Sequence, residues 1–168
     1  MAYNTEIITA QEVMDYTTLD LGFDIDYFTN YILSTQRKYV RDLLGKDYYD
    51  EILTQVAGAS LTADNTIIVN DFLKPMLAHY IIFEVMPAVR TQFVNQGAMS
   101  NDTEFSDGAN SFDYSGMRNF FSSEGDLWKK QTDQHIKDEK KDDSTKYPLY
   151  QNCSETLPQT NKRGFIFY

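Results

Sequence analysis

The sequence predicts an all-α protein: a small helical bundle of four to six helices with an extended C-terminal arm. Apolar residues recur at steps of three and four through most of the chain, which is the period of amphipathic helices. Alternation typical of strands is confined to the last few positions. The 168 residues fit one domain with some extra chain. We place the helical domain at residues 1–143 and the arm, which is polar and contains prolines, at residues 144–168.

The first three helices follow from caps and apolar stripes. The stretch TAQE at 9–12 has capping-box spacing and predicts a short helix over 9–17. Asp24 or Asp26 then caps a longer helix, and Gly45 ends it with a left-handed cap. The stripe of this second helix consists of Phe28, Ile32, Thr35, Tyr39, Val40, Leu43 and Leu44. The third helix repeats the spacing with Tyr49, Ile52, Leu53 and Val56.

The next helix is apolar on every side, which is typical of an element at the centre of its domain. Asn70 or Asp71 is the predicted N-cap, so that Pro75 falls in the first turn, where a missing N–H costs little. Pro87 is expected to kink or split the helix, and Gly97 to end it. Its main face consists of Val69, Phe72, Leu73, Met76, Leu77, Tyr80 and Ile81.

A loop over 98–113 precedes the last helix, which begins near Ser115 and has a candidate break at Gly125. Its apolar stripe fades to Ile136 alone in a charged stretch, which is either a solvated helix end or a helix that projects from the body. The apolar side of the last helix consists of Met117, Phe120, Phe121 and Trp128. The residues predicted to share one buried core are Leu43, Leu53, Phe72, Leu77, Ile81 and Phe121.

The residue types that carry catalysis are sparse. Gly45-Lys46 lacks the upstream glycine and the following Ser or Thr of a phosphate-binding loop. We expect His79 to be a hydrogen-bonded core or interface residue and His135 to be exposed without a specific role. Cys153 has no neighbouring histidine or basic helix start of the kind that activates a catalytic thiol. These observations predict a protein that is not an enzyme and uses no cofactor.

One acidic stretch of the sequence loosely resembles a metal site. The stretch from Asp102 to Asp113 has the length of a calcium-binding loop, but Asp107 occupies the place of the required glycine and the bidentate Glu is absent. We therefore expect no metal there.

The net charge of −10 bears on the partners that the chain accepts. Residues 1–36 contain six acids and no Lys or Arg. Such a surface repels phosphate, so tight binding of nucleic acid by counterion release is not expected. Solubility alone is the other explanation of the charge.

The location of the protein is predicted from what the sequence lacks. The most apolar window, MLAHYIIFEVMPAV, is interrupted by His79, Glu84 and Pro87, so it does not have the pattern of a membrane span. The N-terminus lacks the pattern of a signal peptide, and the single Cys153 cannot form a disulfide framework. We expect a soluble protein of a reducing compartment.

The chain contains 12 Tyr and 11 Phe. Amphipathic helix faces explain most of the tyrosines, and a protein–protein surface is the functional interpretation. The tyrosines that lie near charged residues in the sequence are Tyr27, Tyr31, Tyr39, Tyr48 and Tyr49.

The arm ends in GFIFY, an apolar segment that gains little at a free terminus unless it docks. We expect it to bind a partner, with docking on its own domain as the alternative. Deletion of residues 145–168 is then expected to leave the helical domain folded. The predicted docking residues are Phe165, Ile166, Phe167 and Tyr168, with Lys162 and Arg163 to steer them toward an acidic patch.

The run YILSTQRKYVRDLLGKDYYDEIL resembles the second-helix pattern of head–tail connector proteins of tailed phages. There a helix ends in Leu-Gly and an aromatic-x-x-x-Leu segment follows; here these residues are Leu44, Gly45, Tyr48, Tyr49, Ile52 and Leu53. The next segment is similar to the following helix of that family, with Pro75 to Ala78 early and Asn95 to Gly97 at its close. The resemblance covers roughly residues 5–140. The N-terminal linker and the aromatic arm are similar to those of the larger ring proteins of crAss-like phages.

The resemblance implies a structural virion protein that assembles into a ring, typically twelvefold, in the neck between the capsid and the tail. Its implied partners are further copies of itself, the portal protein, and tail proteins or a second adaptor ring. DNA would pass through the ring without specific binding, and assembly would take place in the host cytoplasm. No membrane partner is expected. The alternative is a small non-catalytic helical adaptor or regulatory domain that binds one partner through its C-terminal tail.

Overall fold

Helix α1, Ala10–Tyr16, begins at the predicted capping box. The Glu12 amide donates to Thr9 Oγ1 at 3.2 Å, and the Thr9 amide donates to Glu12 Oε2 at 2.9 Å. Two amides that a helix start leaves without partners are thereby satisfied.

The computed structural model describes residues 4–17, 26–94, 97–100 and 111–151. Within those ranges the chain forms five helices and one two-stranded hairpin, so the predicted all-α bundle of four to six helices is confirmed.

Helix α2 is continuous but changes its winding: it runs through Asp26–Thr35, a π-helical turn at Gln36–Val40, and a last turn at Arg41–Leu44. Gly45 has φ 78° and ψ 164°, a backbone conformation that strongly favours glycine. The positive φ was predicted, but ψ lies outside the left-handed helical region because the chain turns directly into helix α3, Lys46–Ala57.

The π-helical turn of α2 begins at a buried glutamine, Gln36, which the sequence patterns did not single out. Gln36 Oε1 accepts a hydrogen bond from the Ile7 amide at 2.8 Å, and Nε2 donates to the Thr5 carbonyl and to Tyr49 Oη, both at 3.0 Å. One side chain therefore fastens the N-terminal segment to α2 and α3.

Helix α4 begins earlier than predicted, because Thr62 caps it instead of Asn70 or Asp71. It consists of Ala63–Ile67, a π-helical turn at Ile68–Leu73, and Lys74–Arg90. Pro75 therefore lies inside the helix and not in its first turn. The π-helical turn ends at Leu73, two residues before this proline, and the wider turn gives room to a ring that has no N–H to donate.

Pro87 neither ends nor splits α4, which continues to Arg90. An antiparallel hairpin follows, with β1 at Thr91–Val94 paired to β2 at Gly97–Ser100. The predicted helix end at Gly97 is therefore wrong, and so is the start of the predicted loop, because residues 98–100 belong to β2. The run TQFV is too short for periodicity to separate strand from helix, and its β-branched and aromatic residues favour a strand.

Helix α5, Ser111–Asp142, passes through Gly125 without a break. Thr132 and Ile136 are fully buried, so the charged stretch keeps its inner side on the body and does not project from it.

Helix α4 lies at the centre and packs against α1, α2 and α5. Two salt bridges also connect these helices. Lys74 Nζ of α4 lies 2.5 Å from Glu12 Oε1 of α1, and Lys129 Nζ of α5 lies 2.6 Å from Asp42 Oδ2 of α2. Phe72, predicted as core, is only partly buried, because it lies at the edge of α4 against the ring of His135. The other predicted core residues are buried as expected: Leu43, Leu53, Leu77, Ile81 and Phe121.

Candidate functional site

The predicted docking residues lie beyond the part of the chain that the structure describes. They are Phe165, Ile166, Phe167, Tyr168, Lys162 and Arg163. The description ends at Gln151, so it includes the first residues of the predicted arm and the place where that arm leaves the helices.

Two tyrosines anchor this junction. Tyr147 and Tyr150 are 4% and 5% exposed, and both rings pack on Tyr48 of α3. The centroid of the Tyr48 ring lies 6.1 Å from that of Tyr147 and 6.4 Å from that of Tyr150, which meets it edge to face. Such tilted aromatic contacts are favourable beyond the area that they bury. Residues 144–151 therefore belong to the packed body, although the sequence predicted that the arm begins at residue 144.

Polar contacts from α5 hold the same turn. Lys140 Nζ donates to the carbonyl oxygen of Tyr150 at 3.1 Å, and Tyr150 Oη donates to Asp133 Oδ1. Lys146 forms an ion pair with Glu139. The hydrogen bond between them raises the pKa of Lys146 and lowers the pKa of Glu139, so both groups stay charged over the neutral range.

Burial raises the pKa of Tyr48 well above the usual range and also raises the pKa of Tyr147, with nearby acids as a further cause. Tyr48 Oη donates a hydrogen bond to Asn65 Oδ1 at 2.8 Å. The start of the arm therefore has a fixed position on the body.

The junction tyrosines were missed from sequence, although the stretch YPLYQN carries a signal. Two aromatics three residues apart around a proline are typical of a tight turn that presents both rings to one surface. Tyr147 adopts a positive φ of 47°, and its carbonyl accepts from the Tyr150 amide at 3.0 Å, which closes the turn.

Tyr39 of α2 and Tyr80 of α4 pack against each other between the helices. Tyr39 and Tyr80 stack with centroids 3.7 Å apart, and their hydroxyls donate to Glu84 and Asp126 at 2.7 and 2.6 Å. Burial and the acidic partner raise the pKa of Tyr80. Amphipathic packing therefore explains these tyrosines, as the first of the two interpretations predicted.

The exposed apolar surface on α5 is made by other residue types. Met117, Phe120 and Leu127 are 44%, 56% and 46% exposed. Phe120 lies three residues after Met117 and two helical turns before Leu127, so the three share one side of the helix. We call them the α5 patch. Exposed apolar groups that cluster in this way mark interaction surfaces more often than single ones do.

Comparison with protein families identifies one match, a family of unknown function, DUF6712, over residues 40–159. The chain belongs to this family. The match begins at the end of the π-helical turn in α2 and continues past the junction. It covers the α5 patch and stops before the predicted docking residues. Neither the curated proteins nor the solved structures contain a match.

The family has no known function, so the contacts of the titratable residues are the guide to their roles. His79 Nδ1 lies 2.7 Å from the Pro75 carbonyl oxygen, which confirms a hydrogen-bonded histidine at the edge of the core. His135 is not the exposed residue that was predicted: its ring stacks on Phe72 at 4.6 Å, and its Nε2 is buried without a hydrogen-bond partner in the structure. Cys153 and residues 102–110 of the acidic stretch lie outside the described residues, whereas Asp113 lies in the first turn of α5.

In the described ranges, no group of three or more His, Cys, Asp or Glu residues could hold a metal ion. No helix in the same ranges has the length and apolarity to cross a membrane.

Proposed function

We propose that this protein is a structural virion component: a subunit of an oligomeric ring that joins the portal and capsid to the tail of a tailed phage and lets DNA pass. In this proposal it acts in the neck of the virion, after assembly in the host cytoplasm, and it has no catalytic role. Its partners are further copies of itself, in a ring of twelve, together with the portal protein and tail proteins or a second adaptor ring.

The connector-like motifs support the proposal because they occupy specific structural positions. Leu44 is fully buried at the end of α2, and Gly45 supplies the positive φ that joins α2 to α3. Pro75 follows the π-helical turn inside the central helix. The residues that carry the resemblance thus include the joint between two helices and a proline of the central helix.

The observation that carries the proposal is the anchored junction, which is followed by a polar segment that ends in the apolar GFIFY. Tyr147 and Tyr150 fix the chain on the body up to Gln151, and seventeen residues follow. Fully extended, they span about 56 Å, whereas a domain of this size has a radius of gyration of about 15 Å. The GFIFY segment therefore has the reach to contact a neighbouring subunit. Heterologous contacts of this kind generate a ring when the rotation between neighbouring subunits closes.

The charge supports a channel that does not retain DNA. The net charge is −10, and no Lys or Arg precedes Arg37. An acidic lumen repels the phosphates of passing DNA, so the duplex slides without sticking.

A small non-catalytic adaptor or regulatory domain is the second candidate function. It is favoured by the core, which one subunit completes with α1 to α5 and the junction tyrosines. Such a subunit needs no copies of itself to fold, and its tail would bind one partner.

Light scattering and negative-stain imaging of the full-length protein, alone and with the portal protein of the same phage, test the ring. We expect ring-shaped particles of about twelve times the 19.5 kDa subunit mass, at least when the portal is present. A protein that stays at 19.5 kDa and never joins a portal particle would overturn the ring proposal and favour the adaptor.

A further inference from the structure

The α5 patch, Met117, Phe120 and Leu127, is a surface of defined size and shape. Ten residues of helix separate its ends, which corresponds to about 15 Å along the axis. Phe120 is more than half exposed in the single chain, so the patch is accessible to a second molecule.

The helix beneath the patch is held rigidly. Phe121, the neighbour of Phe120, is buried in the core, and Gly125 lies against the ring of Tyr80. Lys129 pairs with Asp42 on α2 at 2.6 Å. A patch on a fixed helix needs little ordering when a ligand binds.

We propose that the α5 patch binds the C-terminal segment Gly164–Tyr168 of a second copy of this chain. The proposal rests on the proposed ring, because it names the surface that receives the arm. Five extended residues span about 16 Å, which matches the patch. Alternation in an extended segment places Phe165 and Phe167 on one side, where both rings can meet Phe120 and its neighbours.

Charge complementarity supports this occupant. Glu124 lies four residues after Phe120 and therefore on the same side of α5, and the base Arg118 lies over the ring of Phe83 at 4.2 Å. The segment that precedes the aromatic tip carries Lys162 and Arg163. A basic lead-in beside Glu124 favours this orientation of the segment and speeds the encounter.

A peptide of residues 160–168, labelled with a fluorophore, tests the contact directly. The acceptor is the full chain with Phe165→Ser and Phe167→Ser, which removes its own aromatic tip. Adding Phe120→Ser and Leu127→Ser to the acceptor should weaken peptide binding at least tenfold. Ile67→Ser, at an apolar residue of α4 that is 42% exposed, is the matched control and should leave binding unchanged. Circular dichroism verifies that each variant is folded, and equal affinity in the folded patch variant would overturn the proposal.

Cross-linking separates a second copy from the chain's own tail. A photo-reactive phenylalanine at position 120 is placed in the Phe165→Ser, Phe167→Ser acceptor, which is mixed with a donor that keeps its tip but carries Phe120→Ser. We expect an acceptor–donor product that maps to residues 164–168 of the donor. If cross-linking instead occurs only in a chain that carries both the photo-reactive residue 120 and an intact aromatic tip, and only within that chain, the second copy is the wrong occupant.

The outcomes also separate this inference from the ring. Rings that form normally with Phe120→Ser and Leu127→Ser contradict the patch and leave the ring intact. Peptide binding at the patch in a protein that never forms rings contradicts the ring and leaves the contact in place.

Discussion

Gly125 lies in direct contact with the ring of Tyr80. A Cβ atom at position 125 would lie 2.7 Å from two ring carbons of Tyr80, a separation that real Cβ atoms essentially never show. The ring has little freedom to move, because it stacks on Tyr39 and its hydroxyl binds Asp126. The contact between α4 and α5 at this position therefore depends on the absence of a side chain at residue 125.

Gly125→Ala should consequently destabilise the protein, although alanine favours helix. Overpacking of a tight contact costs about 1 to 3 kcal/mol, which exceeds the gain of up to about 1 kcal/mol in helix propensity. Gly116→Ala is the matched control on the same helix: nothing lies within 4 Å of its Cβ position, so this change should be neutral or stabilising. Denaturant unfolding of both variants measures the difference, and a Gly125→Ala protein as stable as Gly116→Ala would contradict the packing.

The same glycine shows what periodicity predicts and what it leaves open. Steps of three and four located α2, α3 and α5, because one apolar side of each is buried, and they gave the main face of α4, whereas the capping box located α1. They could not show whether Gly125 breaks a helix or admits a neighbouring ring, since that depends on the partner helix. The π-helical turns that begin at Gln36 and Ile68 could not be predicted from the spacing of apolar residues either. One extra residue in a turn shifts the apolar stripe but does not interrupt it.

Leu77 tests the central position of α4. It is fully buried, and Leu77→Ala should lower the free energy of unfolding by about 2 to 5 kcal/mol. Ile67→Ala removes an apolar side chain that is 42% exposed on the same helix, and we expect a much smaller loss. Thermal or denaturant unfolding compares the two variants. Equal melting midpoints for Leu77→Ala and the unaltered protein would place this residue outside the core.

The ion pair between Glu12 and Lys74 should make stability depend on acid pH. Burial alone raises the pKa of Glu12, but hydrogen bonds from Lys74 and Thr9 outweigh it, so the folded-state pKa lies below the ordinary value of 4.5. A lowered folded pKa stabilises the protein above about pH 4.5, and this contribution is lost as the pH falls through the folded pKa.

Glu12→Gln should therefore lower the melting temperature at pH 7 and reduce its dependence on pH below 4.5. Glu6→Gln removes an exposed carboxylate from the preceding segment and serves as the control. Melting curves between pH 3 and 7 measure both variants. The role of the pair is disproved if Glu12→Gln and the unaltered protein lose stability in parallel as the pH falls.

The candidate site was predictable only in part. The apolar segment GFIFY and the two bases before it could be recognised from composition, and their docking on a partner stays a prediction. Met117 and Phe120 of the α5 patch were included in the predicted apolar side of the last helix, whereas Leu127 was not. Phe120 and Phe121 could not be assigned to surface and core from spacing alone. Which of two adjacent phenylalanines faces inward is decided by the position of α4, whose Tyr80 and His79 receive the inner side of α5.

The last prediction concerns where the chain can be cut. Deletion of residues 145–168 was expected from sequence to leave the helices folded, but it removes Tyr147 and Tyr150, which are buried against Tyr48. Loss of a buried aromatic costs about 3 to 5 kcal/mol, so this deletion should destabilise the body strongly. Deletion of residues 152–168 keeps the whole junction and should leave circular dichroism and melting almost unchanged. If the proposed ring is correct, the shorter deletion also prevents assembly with the portal, as imaging would show. Equal melting of the two truncated proteins would mean that the junction tyrosines do not stabilise the body, whereas normal rings from the shorter deletion would contradict the role of the arm.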